Sequence, residues 1–182
     1  MKTPASPPAI WYCVRASSLG SLLVAGTSRG VCFVRFGQSE AELEHRLKGA
    51  FPFAPLERTE TGAVGAWSRA LADYVDGASD SAEVPLDVSG SRFEERVWGA
   101  LRRIPMGQTR SYSEIAHELG NPKGARAVAR ACAENPAAVV IPCHRVIEKS
   151  GALGGYGGGV SRKRALLERE GASFSPPRAE PA

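Results

Sequence analysis

A cysteine followed directly by a histidine is the part of this sequence best suited to chemistry. Cys143 and His144 stand in "IPCHRVI", after an apolar run and before a glycine-rich loop. A thiol ordinarily has a pKa of about 8.5, so a nearby base that raises its thiolate fraction makes it a better nucleophile. Consecutive side chains of an extended chain point to opposite faces, so the imidazole needs a turn or a water to reach the thiol. The pair predicts a reactive thiol, with a buried structural cysteine as the alternative.

The same segment contains no carboxylate placed to orient the imidazole. Glu170 is the candidate, because it falls in the last turn of a predicted helix, where a carboxylate opposes the helix dipole at a cost of about 0.3 kcal/mol or more. A functional role would offset that cost, and an ordinary surface glutamate is the alternative. Between these positions, residues 149–159 contain six glycines among eleven residues, which predicts a loop whose backbone approaches a ligand closely.

Two capping boxes mark the helices that precede the thiol. Ser91 with Glu94 predicts a helix over residues 92–103, and Ser111 with Glu114 opens a helix that contains "YSEIAHEL". Gly120 ends that helix, and we expect residues 121 and 122, Asn-Pro, to cap and begin the next one. Two helices joined by so short a turn predict a helix-turn-helix motif.

The second helix of this motif, "PKGARAVARACA", divides into an apolar side and a basic side. Spacing predicts an inward stripe on one side and two arginines among small residues on the other. Long cationic side chains among otherwise small side chains would let the helix backbone approach a phosphate-lined groove. The alternative is that the small residues pack on a neighbouring helix. The inward stripe comprises Ala125, Val128, Ala129 and Cys132, and the opposite side Gly124, Arg126, Ala127, Arg130 and Ala131.

The rest of the C-terminal half is predicted from shorter patterns. "AAVVIP" is typical of a buried strand that ends at Pro142, with "CHRVIE" as its continuation or a turn. A last helix is predicted to begin at Ser161 and to stop at Gly171. The proline-rich tail, residues 173–182, is predicted to be flexible.

The N-terminal half predicts a small α/β unit. Three β-like runs, "IWYCVRA", "SLLVAGT" and "GVCFVRFG", are separated by turn residues, and two amphipathic helical segments follow them. The looser stretch at residues 77–90 indicates the boundary. We therefore expect an N-terminal α/β domain over residues 10–88 and a second domain over residues 89–172, in an α/β or α+β protein.

Composition limits the class of protein. Of the 182 residues, 43% are hydrophobic and 23% charged, which is ordinary for a soluble globular chain, and no apolar run is long enough to span a membrane. We expect a cytoplasmic protein with reduced cysteines. Cys13, Cys32 and His45 could be imagined as zinc ligands, but their spacing favours two buried strand cysteines and a surface histidine; His117 is also expected at the surface or in helix packing. The net charge of +4 is compatible with nucleic acid binding.

Several segments in the same order resemble one known family. "FEERVWGALRRIPMGQTRSY", "GNPKGARAVARACAENP", "IPCHRVI" and "LLEREG" look like the O6-alkylguanine-DNA alkyltransferases, also called methylated-DNA-protein-cysteine S-methyltransferases. The resemblance is dense over residues 91–171 and looser before them. It implies a ribonuclease H-like N-terminal domain and a winged-helix-like C-terminal domain with a helix-turn-helix. It also implies DNA repair by transfer of an alkyl group from O6-alkylguanine, and from O4-methylthymine, to a protein thiol.

The resemblance also implies a role for each site residue. Cys143 would be the acceptor, His144 would take its proton through a water, and Glu170 would orient the imidazole. Asn135 would hold the bend and the surroundings of the thiol, and Tyr112 would donate a proton or hydrogen bond to the leaving guanine. The walls of the base pocket would include Val146, Tyr156, Gly157 and Gly158.

The implied partner is double-stranded alkylated DNA, bound in the minor groove with little sequence specificity. Arg126 would enter the base stack in place of the extruded nucleotide, at a flipping cost of a few kcal/mol. The remaining contacts would come from Lys123, Gly124, Ala127, Arg130 and Ala131. We expect a monomer that needs no cofactor, no metal and no membrane.

Two other functions fit parts of the sequence. A non-catalytic helix-turn-helix protein that binds alkyl lesions would not need a thiol at position 143, and a thiol hydrolase would turn over many times without DNA. For the transferase, the product is a thioether that none of these groups could cleave, so we expect one turnover per chain. The open glycines 157–159 further predict that benzyl-sized adducts are accepted.

Overall fold

The computed structural model describes residues 8–81 and 83–175. The chain divides into two compact units, residues 1–88 and 89–182, and both contain helices and strands. This is a mixed α/β architecture, as the sequence predicts. Most of the predicted tail, residues 176–182, lies outside the described residues.

The first unit is built on a four-stranded sheet. The meander β1 (Ile10–Ser17), β2 (Gly20–Gly26) and β3 (Val31–Gly37) pairs antiparallel, as predicted. A short strand, β4 (Leu56–Arg58), adds in parallel beside β1, so that the order is β3-β2-β1-β4. Sequence patterns did not predict β4, because three residues with two exposed charges carry no strand periodicity.

The two predicted helices of this unit cover opposite faces of the sheet. Helix α1 (Glu40–Ala50) packs Leu43 and Leu47 into a core with the even-numbered side chains of β1, whereas α2 (Gly62–Val75) contacts the other face, where its Ser68 accepts a hydrogen bond from Arg15. Because side chains alternate along a strand, both faces of β2 can be apolar, and its residues 22–25 are fully buried. The cysteines Cys13 and Cys32 are buried in these strands, as expected.

The second unit is mainly helical. Helix α3 (Arg92–Arg102) and helix α4 (Tyr112–Glu118) both begin with the predicted capping boxes. Between them, β5 (Arg110–Ser111) pairs in parallel with β6 (Val146–Ile147) and places the start of α4 beside the segment that follows the thiol. Helix α5 (Ala125–Ala133) packs on both helices, and the indole N–H of Trp98 donates to the carbonyl of Ala131 at 2.9 Å.

The start of α5 corrects the sequence prediction. Asn121 does not cap the helix; instead its carbonyl accepts from the N–H of Gly124 at 2.8 Å, closing a turn, and α5 begins at Ala125. Gly120 has a positive φ of 76° and ends α4 as predicted. Pro122 therefore lies in the turn rather than in the first helical turn.

The segment before the thiol also differs from its prediction. Residues 137–141 are buried, but they form a tight turn rather than a strand, closed by the N–H of Ile141 donating to the carbonyl of Ala137 at 2.9 Å. Continuous apolar character alone does not distinguish a buried strand from a buried turn. A single 3-10 turn, Cys143–Arg145, follows directly.

The last helix, α6 (Val160–Arg169), begins one residue earlier than predicted and is followed by Gly171 at a φ of 69°. The first residues of the predicted tail pack on the protein. Phe174 is half-buried against Ile147, Leu153 and Leu167. The flexibility of residues 173–182 stays a prediction.

Candidate active site

The thiol of Cys143 is held at the end of a constrained buried turn. Val139, within this turn, has a φ of 73°, which is strained for a β-branched residue. The N–H of Cys143 donates to the carbonyl of Ile141 at 2.8 Å, and the residue is only 7% exposed. Strain retained at such a position is common at functional sites, where the surrounding structure fixes one geometry.

Asn135 is buried and fixes this turn from inside. Its side-chain oxygen accepts from the N–H of Ala137 at 2.9 Å, and its Nδ2 donates to the carbonyl of Ile141 at 2.8 Å. The same Nδ2 donates to Sγ of Cys143 at 3.0 Å. One amide therefore shapes the turn and offers a hydrogen bond that favours a negatively charged sulfur.

His144 lies next to the thiol but points into the protein. The imidazole is completely buried, and its Nε2 lies 2.7 Å from Oε1 of Glu170, the residue at the C-terminal end of α6. A carboxylate accepts the Nε2 proton, which leaves Nδ1 as the basic nitrogen. Nδ1 has no hydrogen-bond partner in the described protein.

Arg145 completes this buried network. Its Nε donates to Oε2 of Glu170 at 2.8 Å, its second terminal nitrogen to Oε1 at 3.1 Å, and its first to the carbonyl of Ile104 at 2.6 Å. For Arg145 the sequence favours an acidic partner across the domain boundary, with a contact to DNA as the alternative. Arg145 does pair with an acid, but that acid, Glu170, belongs to the same unit and orients the imidazole.

Burial lowers the pKa of His144 below its ordinary value, an effect that the neighbouring Glu170 carboxylate partly opposes and that the Arg145 and Lys163 charges reinforce. The imidazole is therefore neutral near pH 7 and can accept a proton. This is the state that a general base requires.

A cavity of about 590 Å³ opens beside the thiol. Cys143 lines it together with Tyr112, the first residue of α4, and residues from the glycine-rich loop and from α5. Burial, followed by the nearby thiols and Glu148, raises the pKa of Tyr112 to about 12. Its hydroxyl therefore stays protonated and can act as a donor in the cavity.

Lys163 belongs to this site, although it was not identified from the sequence. It is fully buried, and its Nζ donates to the carbonyls of Val146, Leu153 and Gly155. Desolvation lowers its pKa to about 8, while the nearby thiols oppose that shift. A sequence pattern was available, because Lys163 shares a helical stripe with the buried residues Leu166, Leu167 and Glu170.

Helix α5 presents part of the predicted basic face. Arg126 is exposed at the rim of the cavity, and Lys123, Ala127 and Arg130 are also exposed. Ala131 is only 2% exposed, because it packs under α3, so its side chain faces inward rather than outward as predicted.

Because Ala131 faces inward, the buried side of α5 is turned about the helix axis from the predicted one. Val128 is fully buried, but Ala125, Ala129 and Cys132 are half-buried and line the cavity. Gly124 is buried in the turn, where a Cβ atom would lie 2.4 Å from the side chain of Asn121.

The predicted pocket residues fall into two groups. Tyr156 and Gly157 line the cavity. Val146 is fully buried behind it, and the carbonyl of Gly158 accepts from Arg162 at 2.8 Å. A Cβ atom at Gly155 or Gly157 would meet no atom within 4 Å, so this side of the cavity is open.

The other two histidines lie outside the candidate active site. His45 and His117 are exposed, as expected. Across residues 8–81 and 83–175, no cluster of three His, Cys, Asp or Glu side chains is arranged to hold a metal ion. None of the helices in these residues is long and apolar enough to cross a bilayer.

Comparisons with known proteins agree with one another. A family model of the 6-O-methylguanine DNA methyltransferase DNA-binding domain matches residues 92–172. The chain is 39% identical over 162 residues to a methylated-DNA–protein-cysteine methyltransferase of Methanosarcina acetivorans, covering 89% of this chain and 99% of that protein. It is 41% identical over 165 residues to the bifunctional transcriptional activator/DNA repair enzyme Ada of Escherichia coli, covering 89% of this chain but only 46% of that longer relative.

A solved structure extends the likeness to the fold. The crystal structure of Mycobacterium tuberculosis OGT in complex with DNA aligns with a TM-score of 0.74 and 40% identity, covering 88% of this chain and 92% of that one. Together with the match over nearly the full length of the Methanosarcina relative, this places the chain in the family of methylated-DNA–protein-cysteine methyltransferases.

Proposed function

We propose that this protein repairs DNA directly, by moving the alkyl group of O6-alkylguanine, and of O4-methylthymine, onto Sγ of Cys143. The observation that carries the proposal is the buried arrangement of the thiol, the Asn135 amide and the His144–Glu170 pair beside an open cavity. The matching family model supplies 6-O-methylguanine and the name of the Methanosarcina relative supplies methylated DNA, whereas O4-methylthymine rests on the family resemblance alone.

Activation of the thiol begins with His144. Its Nδ1 accepts the thiol proton through one water, and the imidazolium that forms is stabilised by Glu170, whose carboxylate Arg145 holds in place. Asn135 stabilises the resulting thiolate by a hydrogen bond. The burial that keeps His144 neutral before the reaction therefore makes it available as the base.

Transfer is an in-line displacement at the alkyl carbon. The Cys143 sulfur forms a bond to that carbon as the carbon–oxygen bond breaks, and the electron pair stays on the purine. Tyr112 donates a hydrogen bond or proton to the guanine ring, which stabilises the leaving anion. The product is a thioether without a group nearby that could cleave it, so each chain reacts once.

A base stacked in a duplex cannot reach this cavity, so the nucleotide must be flipped out. We infer that Arg126, at the cavity rim on α5, fills the vacated space, while Lys123 and Arg130 contact phosphates. Small exposed residues such as Ala127 allow α5 to lie close to the minor groove. The protein then binds duplex DNA as a monomer with little sequence preference, in the cytoplasm.

The proposal extends to the topology of each unit. We infer a ribonuclease H-like topology for the N-terminal domain, residues 10–88, and a winged-helix-like topology for residues 89–172. Helices α4 and α5 would then be the helix-turn-helix, with α5 as the helix that enters the groove.

Labelled DNA tests the proposal. Duplex that carries O6-methylguanine with a labelled methyl group should transfer its label to the protein, one methyl per chain, at Cys143 by peptide mass analysis. Cys143→Ala should bind the same duplex without taking the label. A protein that binds the lesion but never gains the methyl group would instead be a non-catalytic lesion-binding module, and repeated turnover without DNA would indicate a thiol hydrolase.

A further inference from the structure

A second thiol lines the cavity that contains Cys143. Cys132 lies in the last turn of α5, is half-buried, and contributes to the same cavity wall. The alkyl transfer described above does not use it. None of the four cysteines of the chain forms a disulfide in the structure.

Asn135 connects the two cysteines. Its backbone N–H donates to the carbonyl of Cys132 at 3.4 Å, and its Nδ2 donates to Sγ of Cys143 at 3.0 Å. Asn135 therefore contacts both the last turn of α5 and the thiol of Cys143. The two cysteines face one cavity from adjoining segments rather than from remote parts of the unit.

The two thiols differ in reactivity. Burial, and then the charge of Cys143, raises the pKa of Cys132 to about 12, so Cys132 stays protonated at neutral pH. Cys143 accepts a hydrogen bond from Asn135 and precedes the His144 base. An oxidant that enters the cavity will therefore react first at Cys143.

We propose that Cys132 is a resolving thiol, which forms a reversible disulfide with Cys143 when a peroxide oxidises Cys143. In the first step the Cys143 thiolate attacks one peroxide oxygen; a sulfur–oxygen bond forms, the oxygen–oxygen bond breaks, and hydroxide leaves. In the second step Cys132 attacks the sulfenic sulfur, its proton goes to the departing hydroxyl group, and water leaves. Overall, two thiols lose two electrons and two protons, and one hydrogen peroxide becomes two waters.

This chemistry matters because Cys143 is used only once. Further oxidation of a sulfenic acid gives a sulfinic acid, which thiol reductants do not reverse, whereas they do reduce a disulfide. Cys132 would thus preserve an acceptor that has not yet met a lesion. The inference goes beyond alkyl transfer and requires only that Cys143 be oxidised first.

The test treats the reduced full-length protein with an excess of hydrogen peroxide, since a sulfinic acid consumes two peroxide molecules per thiol, then blocks remaining thiols and maps peptides without reduction. We expect a peptide that links Cys132 to Cys143, an intact monomer lighter by two hydrogen atoms, and alkyl transfer that is lost and then recovered with dithiothreitol. In Cys132→Ala we expect sulfinic acid at Cys143 and no recovery.

Cys32→Ala is the matched control, because Cys32 is a buried thiol of the other unit and should leave the wild-type outcome unchanged. Wild-type protein without the linked peptide, or equal recovery in Cys132→Ala, would overturn the inference. Circular dichroism of the reduced Cys132→Ala protein establishes that it is folded, and its recovery is expressed relative to its own transfer activity before peroxide. Failure of alkyl transfer in the untreated wild type would instead overturn the proposed function, and the linked peptide is scored independently of it.

Discussion

His144 lies wholly inside the protein, and its surroundings act on its pKa in two directions. Desolvation lowers the pKa and is the larger effect, whereas the adjacent Glu170 carboxylate raises it. A proton on the imidazole blocks its action as a base. The pH range of the reaction should therefore report the balance between burial and the carboxylate.

The rate of methyl transfer at saturating DNA should fall on the acid side with a midpoint below pH 6.5, because the folded-state pKa of His144 is depressed from that ordinary value and the neutral form persists to lower pH. Single-turnover rates measured across the acid range give the midpoint. A midpoint above 6.5 would contradict the assignment of His144 as a base desolvated by burial.

Glu170→Gln provides the comparison. Removing the carboxylate removes the influence that raises the pKa of His144, so the acid midpoint should move further down, and the plateau rate should fall by about 10²-fold or more as the base weakens. An unchanged plateau would mean that the carboxylate is only structural.

Tyr112→Phe tests the donor in the cavity. Because the pKa of Tyr112 is raised to about 12, its hydroxyl donates and does not ionise, and its loss should slow transfer by about 10²-fold while DNA affinity changes little. Parallel measurements of rate and binding separate the two effects. Tyr12→Phe, which removes a hydroxyl bonded to Glu44 in the other unit, should transfer at the wild-type rate.

At the scale of single residues, the sequence predicted which side chains lie together better than it predicted their individual partners, and the roles of these side chains stay predictions. Cys143, His144, Glu170 and Asn135 are brought together as the resemblance implied. The partner of Arg145 was assigned to the wrong place, because nothing local to Arg145 reveals which distant acid it meets. The role of Lys163 was missed because a lysine is rarely buried, and its three carbonyl partners come from an irregular loop.

At the scale of elements, helix α5 has one side buried in the core of its unit and one side exposed. Its buried side is set by Val128 and Ala131, and its exposed side carries Arg126 and Arg130, four residues apart. These arginines should have different roles, because only Arg126 lines the cavity.

Replacing each arginine by alanine separates those roles. Arg126→Ala should slow transfer from duplex DNA by on the order of 10- to 100-fold, because the flipped state loses the side chain that replaces the base. It should leave the reaction with free O6-benzylguanine unchanged, because no base is flipped there. Arg130→Ala should lower the salt dependence of binding by about one unit of log–log slope and leave the saturated rate unchanged. Equal effects of both variants on saturated transfer would contradict the insertion role.

The glycine-rich loop makes a prediction about adduct size. Because a side chain at Gly157 would meet no neighbouring atom, the cavity has room on that side, and O6-benzylguanine should inactivate the protein. Gly157→Trp should resist benzylguanine and still repair O6-methylguanine. Residual transfer activity after incubation with benzylguanine measures both outcomes, and wild-type protein that resists the inhibitor would contradict an open cavity.

Elements whose ends are set by neighbouring residues were predicted correctly, whereas a segment shaped by more distant contacts was not. The capping boxes at Ser91 and Ser111 gave correct helix starts, because both partners lie within four residues. The turn at residues 137–141 was mistaken for a strand, because its shape depends on Asn135 and on a strained Val139 rather than on hydrophobic pattern.

At the scale of the whole molecule, charge is divided unevenly between the units. Residues 89–182 contain 15 basic and nine acidic side chains, whereas residues 1–88 contain eight and ten. The excess of positive charge therefore belongs to the unit that carries Cys143. A net charge of +4 for the full chain understates the attraction of that unit for a polyanion.

The buried ammonium of Lys163 has a consequence for the loop of many glycines. Glycine segments lose much conformational entropy when they are ordered, and the loop would otherwise sample many shapes. One cation ties the carbonyls of Leu153 and Gly155 to that of Val146, just after the thiol. Lys163 therefore anchors the loop at Leu153 and at Gly155, which lines the cavity. Any adjustment to alkyl groups of different size would then fall to the glycines that follow.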